Sequence, residues 1–225
     1  MEPETLKERL WDAEGILFDL DNTLYPREKG VFDRINERIN LFVMDLTGEC
    51  VDDIRIMRKD YIGRYGTTLG GLMKHFDVHP DEYLDYVHDV PVEGMLGPDH
   101  DLREFISRIT LPKVIFTNGT ALHAERVLHA MDMIGVFDGI CDLRETGYMG
   151  KPHPEAYRAA AGETGSALER TILVDDLEAN LRGASEIGMV AIQVGRPHGD
   201  YADICVSDVR DLESTFRGVP WLTTS

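Results

Sequence analysis

The 225-residue chain is predicted to be an α/β protein: a doubly wound parallel sheet with a helical segment inserted after its first strand. Three observations predict it. Short apolar runs recur along the chain with helix-patterned stretches between them, as expected of parallel strands covered on both faces. Several of these runs end abruptly in polar or acidic residues. Between about Arg27 and Met95 the apolar residues keep helical spacing instead.

The elements follow in chain order. In ILFDLDNTLYP the first strand is Ile16, Leu17 and Phe18, which run into Asp19 and Asp21. Phe32, Ile35, Ile39, Phe42, Val43 and Leu46 recur on one face of a helix, and Ile54, Met57, Tyr61 and Ile62 repeat the pattern. Helices are expected near 69–76 and 80–88. Gly94, Gly97 and Pro98 mark the hinge by which the chain re-enters the sheet. KVIF (113–116) is the second strand, followed by a helix near 120–132, a weak strand GIC (139–141) and a helix near 154–164. TILVDD (171–176) precedes a helix near 178–187, and MVAIQV (189–194) and ADICVS (202–207) complete the sheet. The expected organisation is a core of 1–26 and 96–225 interrupted by a helical domain of 27–95.

Composition sets limits. An apolar fraction of 43% and a mean hydropathy of -0.23 are those of a globular protein, and no apolar run approaches the ~18 residues of a membrane span. The opening MEPETLKERLWD is too polar for a secretory signal. Cys50, Cys141 and Cys205 fit neither a disulfide framework nor a zinc pattern, which points to a reducing cytoplasm. The net charge of -18 argues against nucleic-acid polymers and anionic membranes as partners. A small molecule is the expected partner, and a monomer or homodimer the expected state. An anionic substrate would need a site that locally reverses the sign of the field.

In a doubly wound sheet, ligands bind beyond the carboxyl ends of the strands. There the first strand delivers Asp19 and Asp21, the second Thr117 and Asn118, and the third Asp175 and Asp176, while GKPHP adds Lys151. Residues i and i+2 of an extended segment point the same way, so Asp19 and Asp21 face one point. Four carboxylates gathered there require a cation. Oxygen ligands without Cys or His favour a hard ion, of which Mg²⁺ is the usual choice.

DLDNT, then TN after a second strand, a lone Lys before Pro, and DD after a third strand resemble the ordered signature of the haloacid dehalogenase-like (HAD) hydrolase superfamily. The segment 27–95 resembles that family's C1-type cap. DLDNTLYP, YGTTLGGL (65–72), YVHDVP (86–91) and FTNG with KPHPEAY resemble the pyrimidine 5'-nucleotidase branch. The resemblance implies a Rossmann-like core and a Mg²⁺-dependent phosphomonoester hydrolase. Asp19 would be the nucleophile that forms an aspartyl-phosphate, and Asp21 the acid and then the base. Thr117 and Asn118 would bind the phosphoryl oxygens, and Lys151 would neutralise Asp19 and the phosphate. The metal would be held by Asp19, the Asp21 carbonyl and Asp176, with Asp175 as a ligand or a supporting partner. Thr23 would fix the turn.

One position departs from the family pattern: Asn180 stands where many members carry an acid. The expectation is altered metal affinity with activity retained, Asn180 holding a metal-bound water or orienting Lys151. Other features read as structure. His75 and His79 lack a HExxH glutamate and are expected to pack or face solvent. GTTLGG lacks the GK[ST] ending of a phosphate loop. Tyr25, Tyr65, Thr67, Thr68 and His88 are candidates for substrate selectivity. The rival readings are a phosphatase for phosphoglycolate or a sugar phosphate, a phosphoglucomutase-like transferase, and a catalytically silent binding protein. A dehalogenase is disfavoured, because it needs neither Mg²⁺ nor an acid at position 21.

Overall fold

In a computed structural model of the protein, residues 5–196 and 198–223 are described; residues 1–4, 197, 224 and 225 of the expected core segments lie outside them. Six strands form one parallel sheet: β1 (Gly15–Phe18), β2 (Lys113–Phe116), β3 (Gly139–Cys141), β4 (Thr171–Asp175), β5 (Val190–Val194) and β6 (Ile204–Val206). Their order is β3-β2-β1-β4-β5-β6. The sheet grows in opposite directions from β1, so the crevice between β1 and β4 is the topological switch point, where such sheets bind ligands. Leu17 pairs with Val114 on one side and Leu173 on the other.

The strand sequences explain the double covering. Ile16, Phe18, Ile115, Val174 and Ile192 pack into a core on one face. Leu17, Val114, Phe116, Leu173 and Ala191 pack into a second core on the other. With both faces buried, alternation of polar and apolar residues disappears and the strands read as continuous apolar runs.

Ten α-helices are described: α1 (Leu6–Trp11), α2 (Val31–Thr47), α3 (Val51–Tyr65), α4 (Thr68–His75), α5 (Pro80–Val87), α6 (His100–Ser107), α7 (Ala121–Ala130), α8 (Pro154–Thr164), α9 (Glu178–Glu186) and α10 (Leu212–Thr215). α2 through α5 form the insert between β1 and β2. Ile35, Val43, Ile54, Leu72 and Leu84 are buried in it and join the larger core. α2 closes on Gly48 in the left-handed conformation. The Thr67 hydroxyl caps α4 by accepting from Gly70 N at 2.9 Å. His75 accompanies this packing: it stacks on Tyr61 and bonds the Tyr65 hydroxyl at 2.8 Å.

Two differences from the expected elements have local causes. α7 ends at Ala130, two residues early, because Asp132 turns left-handed and Gly135 follows suit. α1, α6 and α10 were not anticipated; α6 begins where Asp99 Oδ1 accepts from Leu102 N at 3.1 Å. At the expected hinge, neither Gly94 nor Gly97 adopts a positive φ. Instead Arg126 of α7 grips Glu93 through two bonds of 2.8 Å and donates to Val90 O at 2.7 Å. Arg144 likewise reaches Asp81 and Asp85 of α5. These solvent-screened pairs contribute little energy each, but they tie the insert to α7 and to the loop after β3.

Candidate active site

The tips of β1, β2 and β4 meet at the switch point. Asp19 leaves β1 as its backbone N–H bonds Val174 O at 2.9 Å, which ties the tip of β1 to β4. The turn beyond it passes through Asn22 at φ 62°, a conformation that Asn tolerates better than most residues. Thr23 Oγ1 then donates to Asp19 Oδ2 at 2.8 Å, so Thr23 holds the carboxylate as well as the turn.

Lys151 is the centre of the site. It is 1% exposed, and its Nζ donates to Asp19 Oδ1, Asp175 Oδ2 and Phe116 O, each at 2.7 Å. Burial opposes its charge, but Asp175 and Asp19 outweigh burial and raise its pKa above the ordinary lysine value. Its backbone is clamped by the Asn118 carboxamide, whose Nδ2 donates to Lys151 O at 2.9 Å while Oδ1 accepts from Lys151 N at 2.8 Å. The Asn118 side chain thus places Lys151 and keeps one Nδ2 proton to donate towards the cavity it lines. The close fit requires Gly150: a Cβ there would lie 2.3 Å from Asn118 Oδ1. Thr117 is buried, and its Oγ1 accepts from Gly119 N at 2.9 Å, which leaves its own proton to donate.

One carboxylate oxygen from each of Asp19, Asp175 and Asp176 lies within 4.8 Å of the others. Burial and its neighbours' charge push Asp176 up to about 7. Asp19 is raised well above the carboxylate range, first by burial, then by Asp175 and Asp176, against the pull of Lys151. With all three ionised, three carboxylates against one ammonium leave two negative charges unbalanced. A divalent cation closes that balance, and an all-oxygen donor set suits Mg²⁺. Asp175 is the least free of the three. Its oxygens accept from Lys151 Nζ, from Leu177 N at 2.8 Å and from Asn180 Nδ2 at 3.0 Å. Asn180 thus orients Asp175, and only through it Lys151.

Asp21 lines the same cavity but is not one of these three carboxylates. Its Oδ1 accepts from the Tyr25 hydroxyl and lies 2.8 Å from Nε2 of His123 on α7. Burial raises its pKa, but His123, Tyr25 and His88 prevail and the net shift is downward. His88, from the insert, tilts against the His123 ring at 4.9 Å, and burial followed by the His123 charge lowers its pKa to about 4. His123, three residues after the Thr120 cap of α7, escapes sequence reasoning, because a histidine in a helical pattern carries no sign of what the fold sets opposite it.

These groups open into a cavity of about 440 Å³ roofed by the insert. Of the selectivity candidates, Thr67, Thr68 and His88 line it. Tyr65 instead bonds His75, and Tyr25 serves Asp21. Arg58 and Asn36 line the cavity too and carried no sequence signal, since polar residues on an amphipathic helix ordinarily mark its solvated face.

Comparison with known proteins gives this geometry its class. Residues 13–188 match the haloacid dehalogenase-like hydrolase family, and the chain belongs to it. It is 29% identical over 189 residues to Phosphate metabolism protein 8 of Saccharomyces cerevisiae, covering 76% of this chain and 58% of that one. It is 24% identical to the glyceraldehyde 3-phosphate phosphatase of Methanocaldococcus jannaschii, over 88% of this chain and 95% of that one. Among solved structures, a HAD family hydrolase from Deinococcus radiodurans with bound phosphate and sodium superposes with a TM-score of 0.61 at 19% identity, over 96% of this chain and all of that one. The L-2-haloacid dehalogenase of Xanthobacter autotrophicus gives 0.60 at 15%, over 92% and 99%. These two likenesses show the shared fold. No helix among the described residues is long and apolar enough to cross a membrane.

Proposed function

We propose that the protein is a Mg²⁺-dependent phosphomonoesterase that works through an aspartyl-phosphate on Asp19, with pyrimidine nucleoside 5'-monophosphates as substrates. The observation that carries the reading is the division of labour between two carboxylates two residues apart. Asp19 faces a lysine ammonium and further acids, whereas Asp21 faces Tyr25 and His123. One is set to attack an anion, the other to handle a proton.

In this reading Asp19 attacks phosphorus and the bond to the leaving oxygen breaks, with Asp21 passing its proton to that oxygen. Water then attacks the acyl phosphate, Asp21 takes the water's proton, and phosphate leaves with Asp19 regenerated. Lys151 lowers the repulsion between Asp19 and the phosphate, and the Thr117 hydroxyl donates to a phosphoryl oxygen. Asp19, Asp176 and the Asp21 carbonyl would hold Mg²⁺, with Asp175 supporting Lys151. The ion supplies charge neutralisation at the transferring group. The insert acts as a cap over the site, excluding bulk water and contacting the leaving group.

A cavity of about 440 Å³ falls within the range of small-molecule sites, roughly 300–1,000 Å³. The nucleotide assignment rests on the resemblance of the 65–72 and 86–91 segments. The archaeal relative's name supports a second reading, a phosphatase for a short sugar phosphate. Phosphate release across nucleotides and sugar phosphates, in Mg²⁺ and in EDTA, tests both. Asp19→Asn should abolish release while the fold persists. Undiminished turnover in that variant removes the nucleophile, and turnover indifferent to EDTA removes the metal.

A further inference from the structure

The insert's wall of the cavity is largely apolar, with Ile35, Ile39, Tyr83, Leu84 and Val87 in it. Arg58 of α3 interrupts it. Its guanidinium is held by neutral oxygens alone: Nη2 donates to Asn36 Oδ1 at 2.7 Å and Nη1 to Asn40 Oδ1 at 2.5 Å, with 3.4 Å contacts to Asn36 O and Thr68 Oγ1. Every other arginine on α2 and α3 has a carboxylate partner: Arg34 with Glu37, Arg38 with Asp89, Arg55 with Asp52, and Arg64 with Asp60. The arginine that faces the cavity has none among the described residues. Nor does the insert place any carboxylate among the described residues lining the cavity. In a chain with 41 acidic and 23 basic residues, that is a local reversal of sign.

The surroundings offer donors in excess. Asn36 and Thr68 also line the cavity. Since both accept from Arg58 through oxygen, the Asn36 NH₂ and the Thr68 hydroxyl proton are left to donate. Burial lowers the pKa of Arg58 from its ordinary value, the mark of a charge that has lost water without gaining a counter-ion. The guanidinium keeps one uncommitted N–H, on Nη2, and the carboxamide that Nη2 bonds carries the Asn36 NH₂, so two acceptor atoms lying side by side in one plane would meet one donor from each.

We propose that Arg58, with Asn36 and Thr68, forms a leaving-group subsite that binds a planar pair of acceptor atoms, either the O2/N3 edge of cytosine or a carboxylate. The inference rests on the phosphomonoesterase reading for its substrate class. It names the part of the substrate that the insert recognises.

The test compares cytidine 5'-monophosphate, 2-phosphoglycolate and phenyl phosphate, the last without such a pair. In Arg58→Gln the kcat/KM preference for the acceptor-bearing substrate over phenyl phosphate should fall about 30-fold, the scale of one charge-assisted hydrogen-bonded contact. Arg58→Lys keeps the charge without the planar fork and should recover the carboxylate arm more than the cytosine arm. Asn36→Ala keeps the arginine but removes a donor and one of the oxygens that hold the guanidinium, and it should shift the same ratio in the same direction; the melting midpoint of each variant reads whether the insert has loosened. A ratio unchanged within threefold, or a parallel fall for all three compounds, overturns the subsite. Calorimetric binding of the same compounds in EDTA separates the two readings. Arg58-dependent binding without phosphate release keeps the subsite and sinks the phosphomonoesterase, and Arg58-independent binding with brisk release does the reverse.

Discussion

Replacing Lys151 with Met removes the ammonium that three oxygens share at 2.7 Å and keeps most of the side-chain volume. The cost is therefore electrostatic, not a cavity. Breaking a buried ion pair by removing one partner costs about 3–5 kcal/mol, because the other charge stays buried. Here two carboxylates are stranded, Asp175 fully buried and Asp19 at 8% exposure. For a domain of this size each kcal/mol lowers the melting midpoint by about 2–4 °C, so a fall of roughly 6–20 °C is expected at pH 8 in EDTA. The sign of the pH effect follows from Asp19. Its folded pKa is already raised and rises further without the lysine. Such a group stabilises the fold below its unfolded pKa, and the contribution is lost as pH climbs through the folded one. The deficit of Lys151→Met should thus shrink steadily from pH 8 to pH 5. Scanning calorimetry at four pH values reads this directly. A midpoint unchanged at pH 8, or a deficit that widens on acidification, refutes the claim that Lys151 is a buried counter-ion.

With Asp176 raised to about 7 in the metal-free protein, the divalent cation must displace a proton below that pH, so Mg²⁺ affinity by calorimetry should tighten about 25-fold between pH 5.5 and 7.5; a flat or opposite trend contradicts the placement. Tyr25→Phe deletes one bond to Asp21 and should raise its pKa. An acid that must carry a proton then keeps it to higher pH, moving the alkaline limb of the kcat profile upward, and an acidward shift would count against Asp21 as proton donor. In Gly150→Ala the added Cβ collides with Asn118, and kcat should fall at least tenfold through a displaced Lys151, with the melting midpoint reporting whether the damage stays local. Asn180→Asp swaps the donor to Asp175 for a like charge; it should cost about 1–3 kcal/mol in EDTA, a loss that Mg²⁺ reduces, and equal stability in EDTA would show that the Asn180 bonds carry no weight.

The core was readable because parallel, doubly covered strands leave a one-dimensional trace. ILF, KVIF and TILVD are apolar throughout since neighbouring residues on one strand enter two separate cores. Acids at the tips of such strands have no packing role, so Asp19 and Asp176 stood out. α1 did not, because a helix of six residues gives too few turns for a period to register. Asn118 was recognised but its clamp on Lys151 was not, since that contact joins residues 33 apart in the chain. Arg58 and His123 were invisible for the same reason. Each acquires meaning only from what the fold sets opposite it, and nothing in a helical pattern tells a residue facing a ligand from one facing water.

The insert enters and leaves the chain as one uninterrupted stretch, while every strand among the described residues, and every side chain proposed above to handle phosphate, lies outside it. Exchanging that stretch alone should therefore retune which alcohol departs without touching the machinery that breaks the ester. The weak point of such a graft is the seam, where Arg126 and Arg144 must find acidic counterparts on the newcomer. Chimaeras that keep the equivalents of Glu93 and Asp81 should turn over, and those that lose them should hang open.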